Sequence, residues 1–380
     1  MKHILVSFYP TNNLGDDLFI HILAEQFPNC KIDLMSSIRH APRHLRSNVR
    51  IHPFSYFLAL NSQLQKIIKK YPPLSQKFWQ FEKRYRRELI QNSDAYLNIG
   101  GSLFMDRGDP EEEIHFPANK RPAYDYISAP QNNGKSFLIG SNLGPVFHES
   151  YWANIRKTFQ AYNHVCLRDY ASYRMLQDLP HVQYAPDVIF MAHQPEPEKI
   201  GENVVISVID IGLRTKDHAV IDAYYSLLRD TILRFNSQNI PVTLVSFCKM
   251  EGDEDAIAHL MDMLPDHANV STCFYDGNIQ KLLSLMSNAT YIVASRFHAM
   301  ILALSFGKPV FPISYNCKIK HYLDDVDFQG KYAVLQQLPE ITADDLLYNY
   351  EHRIITDCSL HKKYAPNQFR ALREFLGQQK

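Results

Sequence analysis

No apolar run in this 380-residue sequence approaches the roughly 18 to 20 residues needed to span a bilayer, so a membrane-crossing helix is not expected. There is also no surplus of charge: 40 lysines and arginines stand against 40 aspartates and glutamates. Nucleic-acid binders draw on a field of cations, so no nucleic-acid partner is expected, and any anion must be held by local charge. The six cysteines (Cys30, Cys166, Cys248, Cys273, Cys317, Cys358) include no C-x-x-C pair and no Cys/His cluster at zinc-ligand spacing, which argues against a metal site. They read as reduced, mostly buried thiols of a cytoplasmic protein. No secretory leader is expected, because Lys2 and His3 lead straight into Ile4–Phe8 and polar residues follow. The first strand is not followed by G-x-G-x-x-G, so the dinucleotide fingerprint is missing as well.

A hydrophobic fraction of 46% with 21% charged residues is that of a soluble globular chain, long enough for two domains. Short β-rich runs alternate with helical patterns. The expected strands are Ile4–Phe8, Lys31–Met35, Ala95–Ile99, Ser136–Gly140, His164–Leu167 and Val182–Tyr184, then Val204–Val208, Val242–Phe247, Val270–Cys273, Tyr291–Ala294 and Val310–Ile313. Helical patterns between them include Asp17–Gln26, Tyr151–Tyr162, Tyr170–Leu179, Ile221–Asn236, Asp253–Met263 and Ile279–Met286. This alternation predicts βαβ units and parallel sheets. The Pro/Glu-rich segment His193–Lys199 separates the two series and reads as a linker. The expectation is an α/β protein of two Rossmann-like domains facing a cleft: residues 1–192, residues 200–350, and a helical tail over 351–380.

One stretch breaks the rhythm. Residues 62–92 are helical in character and mix Lys66, Lys69, Lys70, Lys77, Lys83, Arg84, Arg86 and Arg87 with Tyr71, Phe78, Trp79, Phe81 and Tyr85. A solvated helical pair packed on the domain explains this composition, and so does a contact with an anionic membrane surface or an acidic polymer.

The residues able to carry chemistry cluster at strand ends, where open parallel sheets bind ligands. Arg296 and His298 lie where the strand Tyr291–Ala294 hands over to a helix running from about Phe297 to Phe306. A helix N-terminus there adds a preference for an anion. Arg168 ends another strand, and its guanidinium fork can grip a carboxylate or phosphate; an Arg168–Asp169 surface pair is the plainer reading. Asp187 is either a cap or a partner that orients Arg168. Gly15, followed by Asp16 and Asp17, opens the first helix. These carboxylates either cap the helix or bind and deprotonate a hydroxyl. Gly101 and the turn Gly140–Pro145, with Asn142 and Gly144, mark backbone that a ligand can approach closely or simply turns. Lys318 adds a cation at the same edge.

Together these residues resemble the polysaccharide pyruvyl transferase family. The resemblance rests on Asn13-Leu14-Gly15-Asp16-Asp17, Gly100-Gly101-Ser102, Gly140-Ser141-Asn142-Leu143-Gly144-Pro145, Leu167-Arg168-Asp169, Pro186-Asp187 and Ser295-Arg296-Phe297-His298-Ala299, continuing through Gly307-Lys308-Pro309 and Tyr315-Asn316-Cys317-Lys318. The glycine turn departs from the Gly-Gln-Gly-Ile-Gly-Pro of many relatives, and the 62–92 stretch is not a family feature. The resemblance implies a fold like the GT-B glycosyltransferases and a ketal-forming reaction in exopolysaccharide or capsule synthesis. Pyruvate would pass from phosphoenolpyruvate to two sugar hydroxyls, and phosphate would leave. It implies that Arg168, Arg296 and His298 form the donor site, and that no metal or organic cofactor is needed.

The residue types suit that chemistry. Two guanidinium forks fit a three-carbon carboxylate-phosphate, and an imidazole near neutrality suits protonation of its methylene carbon. If the acceptor is lipid-linked, peripheral work at the inner membrane surface follows. The rival expectations are a nucleotide-sugar glycosyltransferase on the same fold and a non-catalytic saccharide-binding protein of a polysaccharide assembly.

Overall fold

Strands buried on both faces of a parallel sheet read as continuous apolar runs rather than alternating ones. The computed structural model of the chain, which describes residues 1–8, 12–36, 42, 44–53, 64, 70–106, 135–198 and 201–377, forms its central strands from such runs. The first sheet contains β1 (Lys2–Ser7), β2 (Cys30–Ser36), β3 (Val49–Pro53), β4 (Ala95–Ile99), β5 (Ser136–Ser141), β6 (His164–Leu167) and β7 (Val182–Tyr184). Its order is β3-β2-β1-β4-β5-β6-β7. The second contains β8 (Val204–Ser207), β9 (Val242–Ser246), β10 (Val270–Phe274), β11 (Tyr291–Ala294), β12 (Val310–Ser314) and β13 (Ala333–Val334), in the order β10-β9-β8-β11-β12-β13. Every strand pairing among the described residues is parallel. Each sheet is doubly wound, and its order reverses between β1 and β4 or between β8 and β11. Such reversals open a crevice at the strands' C-terminal ends.

Helices cover the sheets with apolar stripes. In the first unit, Glu149–Ala161 buries Tyr151, Ile155 and Phe159 at four-residue spacing. In the second, His218–Ser237 is capped by Asp217, whose carboxylate accepts the Ala219 N–H at 3.0 Å, and buries Tyr224, Leu228 and Phe235. Each such large apolar side chain contributes about 1.5–3 kcal/mol when fully buried.

The chain divides into two compact units. One comprises Met1–Pro10, Phe19–Ala185 and Pro366–Lys380; the other comprises Thr11–Leu18 and Pro186–Ala365. The division therefore falls at Ala185/Pro186 rather than in His193–Lys199, and residues 351–380 split between the units instead of standing apart as a tail. Asp187 is a cap: its carboxylate accepts the Ile189 N–H at 2.9 Å and starts the short 3-10 helix Val188–Met191. Within 62–92 the described part is Leu64 and residues 70–92, with a helix over Pro72–Gln91. Lys66 and Lys69 lie outside the described residues. Cys30, Cys166, Cys248, Cys273 and Cys358 are buried.

Candidate functional site

In the second unit, the loops that follow β8, β9, β11 and β12 carry the polar residues. At the end of β11 the backbone is held by hydroxyls. Ser207 Oγ accepts the N–H groups of Ser295 and Arg296 at 3.0 and 3.1 Å, and the Tyr224 hydroxyl donates to Ser295 Oγ at 3.0 Å. The helix Phe297–Ser305 starts there, and His298 stands half-buried in its first turn.

Arg296 is buried and paired. It is 6% exposed, and its guanidinium is engaged by two carboxylates. Nη1 donates to Glu251 at 2.5 Å, Nε donates to Asp253 at 3.1 Å, and Nη2 forms a second bond to Asp253. Asp253 also accepts the N–H groups of Phe247 and Cys248, both at 2.9 Å, and Arg214 donates to Glu251 at 2.7 Å. Burial opposes ionisation of Glu251, but Arg296 and Arg214 outweigh it and hold its pKa below the usual value. For Asp253, burial wins over the pairing and the pKa rises. The guanidinium expected to clamp a donor is paired with two carboxylates beside the junction from which His298 projects.

His298 is seated by the segment Asn13–Asp17. A Cβ placed on Gly15 would lie 1.6 Å from His298 Nδ1, so the Gly15 backbone packs directly against the imidazole and only glycine fits. The Leu14 N–H bonds to the Phe247 carbonyl at 3.1 Å. The helix begins at Leu14, earlier than the expected Asp17, and the cap is Asn13, whose side chain accepts the Gly15 N–H at 3.0 Å. Asp16 and Asp17 therefore sit inside the first turn. Asp17 is 1% exposed and accepts the Tyr275 hydroxyl at 2.7 Å. Burial, partly offset by that bond, pushes its pKa up to about 7. Lys318 is half-buried at the start of the helix Cys317–Asp325, after the Asn316 cap.

In the first unit, the loops after β4 and β5 continue side by side. The Asn142 N–H bonds to Gly101 O and the Gly144 N–H to Phe104 O, both at 2.9 Å. Arg168, 2% exposed at the end of β6, donates from Nη2 to Asn142 Oδ1 at 2.6 Å. A Cβ on Gly101 would meet the guanidinium at 2.5 Å. Arg168 is therefore not half of a surface pair with Asp169, which instead caps the helix Tyr170–Leu176 by accepting the Ser172 N–H at 2.7 Å. Gly144 adopts a φ of 98°, which demands glycine.

The sequence profile of the polysaccharide pyruvyl transferase family matches residues 13–316, most of the chain. The chain belongs to this family. No curated protein matches it in sequence. Solved structures match in fold at low identity. UDP-GlcNAc 2-epimerase from Methanocaldococcus jannaschii shares 10% identity at a TM-score of 0.57, covering 98% of this chain and 100% of that one. The Neisseria meningitidis UDP-GlcNAc 2-epimerase bound to UDP-GlcNAc gives 12% and 0.57, with 99% of each chain covered. Anabaena HepE in complex with UDP gives 12% and 0.54, covering 99% of this chain and 100% of that one. These similarities make the polysaccharide pyruvyl transferase fold here GT-B-like, two Rossmann-like α/β domains. The family is one of transferases.

Sequence reasoning missed Glu251, Asp253 and Tyr275. The first two follow β9 as Arg296 follows β11, so the strand-end logic applied to Arg296 would have reached them. Nothing local marks Tyr275, whose role exists only through Asp17.

Proposed function

We propose that this family member transfers the enolpyruvyl unit of phosphoenolpyruvate to two hydroxyls of a saccharide, forming a pyruvate ketal and releasing phosphate. His298 protonates the methylene carbon. The observation that carries this reading is the seat of His298: an imidazole at a strand-to-helix junction, against a glycine backbone, beside a buried ion-pair cluster that fixes the junction. Arg168 and Lys318 bind substrate anions or hydroxyls, with Gly101, Asn142, Gly144 and Gly15 as the close backbone and amide contacts. Asp16 accepts from an acceptor hydroxyl. Arg296 acts through His298 as a positioning residue, since Glu251 and Asp253 take three of its N–H groups.

The test is phosphate release from phosphoenolpyruvate over a panel of free and lipid-linked sugars. General acid catalysis is worth about 10²- to 10⁴-fold, so His298→Ala should cut turnover by that order while the unfolding midpoint stays within a few degrees. Turnover on a nucleotide sugar without phosphate release from phosphoenolpyruvate would favour a glycosyltransferase. Saccharide binding with no turnover would favour a binding protein.

A lipid-linked acceptor would bring the protein to an anionic membrane surface. What supports this is the helix Pro72–Gln91 and its approach: six Lys/Arg and two Glu between positions 70 and 91 of a chain with no net charge. Tyr71, Leu74, Trp79 and Phe81 are exposed on it. No helix among the described residues is long and apolar enough to cross a membrane. Binding to vesicles should need anionic lipid and weaken with salt. Equal sedimentation with neutral vesicles would sink the idea.

A further inference from the structure

The paired loops after β4 and β5 carry a second histidine that the reading above does not use. Asp106 is buried, with its side chain fully enclosed, and its Oδ2 accepts the N–H groups of Phe147 and His148, both at 2.8 Å. The same oxygen lies 2.9 Å from His148 Nδ1, and Oδ1 lies 3.1 Å from it. The Asp106 N–H in turn donates to the Pro145 carbonyl at 2.9 Å, so both residues are fixed by the loop pair that also holds Arg168 through Asn142. The His148 side chain keeps 19% of its surface exposed.

This geometry has a chemical consequence. A carboxylate that already accepts two backbone N–H groups accepts a third hydrogen from Nδ1. In the neutral ring that leaves the lone pair on Nε2, with the ring plane held by Asp106. An imidazole with one nitrogen tied to a buried carboxylate and an exposed edge is arranged as a general base. His148 follows β5, and Asp106 follows β4, the strand at which the first sheet's order reverses.

We propose that His148, oriented by Asp106, is the general base that deprotonates the acceptor hydroxyl; this rests on the pyruvyl-transfer reading. In the first addition, the hydroxyl proton passes to Nε2 as its oxygen forms the C–O bond to donor C2. The double-bond electrons of the donor take the acid's proton at C3. The second hydroxyl then bonds to C2, the C2–O bond to phosphate breaks with its electron pair on phosphate, and the second proton leaves with the phosphate. His148 then returns its proton to solvent, and the acid is reprotonated from solvent.

The experiment measures phosphate release from phosphoenolpyruvate with the best acceptor of the sugar panel, for wild type, His148→Gly and His148→Gln. Glutamine can still donate to Asp106 but has no basic nitrogen. Both variants should fall by about 10²- to 10⁴-fold in kcat, and added imidazole should restore turnover to His148→Gly in a saturable way. A purely structural histidine gives no such rescue. If His148→Gly fails to fold, the glutamine variant decides. Turnover within threefold of wild type in His148→Gln, or a folded His148→Gly that imidazole cannot rescue, overturns the proposal alone. A wild type that releases no phosphate with any sugar overturns the pyruvyl-transfer reading and this proposal with it.

Discussion

Two residues of the segment that seats His298 show how tightly this site is specified. Gly15 leaves no room for a methyl group, because its α-carbon already packs on the ring. Asp17, two positions on, is buried and bonded to Tyr275, and its pKa is pushed up to about 7. In an unfolded chain an aspartate titrates near ~4, so the folded protein holds this proton more tightly. Its contribution to stability is complete below about pH 4 and is lost as pH rises toward 7. Asp17→Asn keeps an acceptor for Tyr275 and removes the titration. The stability of wild type relative to Asp17→Asn should therefore fall by roughly 2–4 kcal/mol between pH 4 and pH 8, read from urea unfolding across that range. A difference that does not change with pH would show that the carboxyl titrates normally. The sequence marked Gly15, Asp16 and Asp17 as a group but could not rank them. Burial and Tyr275 decide the role of Asp17, and Tyr275 is 258 residues away.

At the scale of elements, the junction between β11 and the helix Phe297–Ser305 was legible in the sequence, down to His298 in the first turn. What was not legible is the commitment of Arg296, because its partners Asp253 and Glu251 lie 43 and 45 positions earlier. A sequence shows an arginine at a strand end; only the fold shows that β9 brings two carboxylates beside it. The short edge strands β3 and β13 escaped for a related reason. Five and two residues long, they carry too few apolar positions to stand out. Removing one partner of a buried ion pair costs about 3–5 kcal/mol, because the other is left charged and unpaired. Arg296→Ala should lower unfolding stability by that amount, and adding Asp253→Asn should recover part of the loss. A variant with wild-type stability and a sharply raised KM for phosphoenolpyruvate would return Arg296 to the role of a donor clamp.

At the scale of the whole chain, the expected boundary followed composition, and composition misled. The Pro/Glu run at 193–199 is polar, but Val188, Ile189 and Phe190 just before it are buried, and the Phe190 ring stacks on Tyr322 at 6.4 Å between centroids. Those apolar residues, not the linker-like segment, assign the chain after Ala185 to the second unit. Residues 366–377 belong to the first unit for a specific reason. At Gly140 the pairing of β5 with β6 shifts register, and the residue adopts a φ of 74°, leaving its N–H without a strand partner. Gln368, 2% exposed, fills the gap. Its Oε1 accepts the Gly140 N–H at 3.0 Å, and its Nε2 donates to the Ala185 carbonyl at 2.6 Å. Gln368→Ala would strand both backbone groups in the interior at about 1–3 kcal/mol each. Exchange of amide hydrogens in β5 and β6 should accelerate in this variant, while protection of His218–Ser237 in the second unit stays as in wild type. Unchanged protection in β5 and β6 would mean that Phe369, Leu372 and Leu376, all buried, hold the segment without help from the amide.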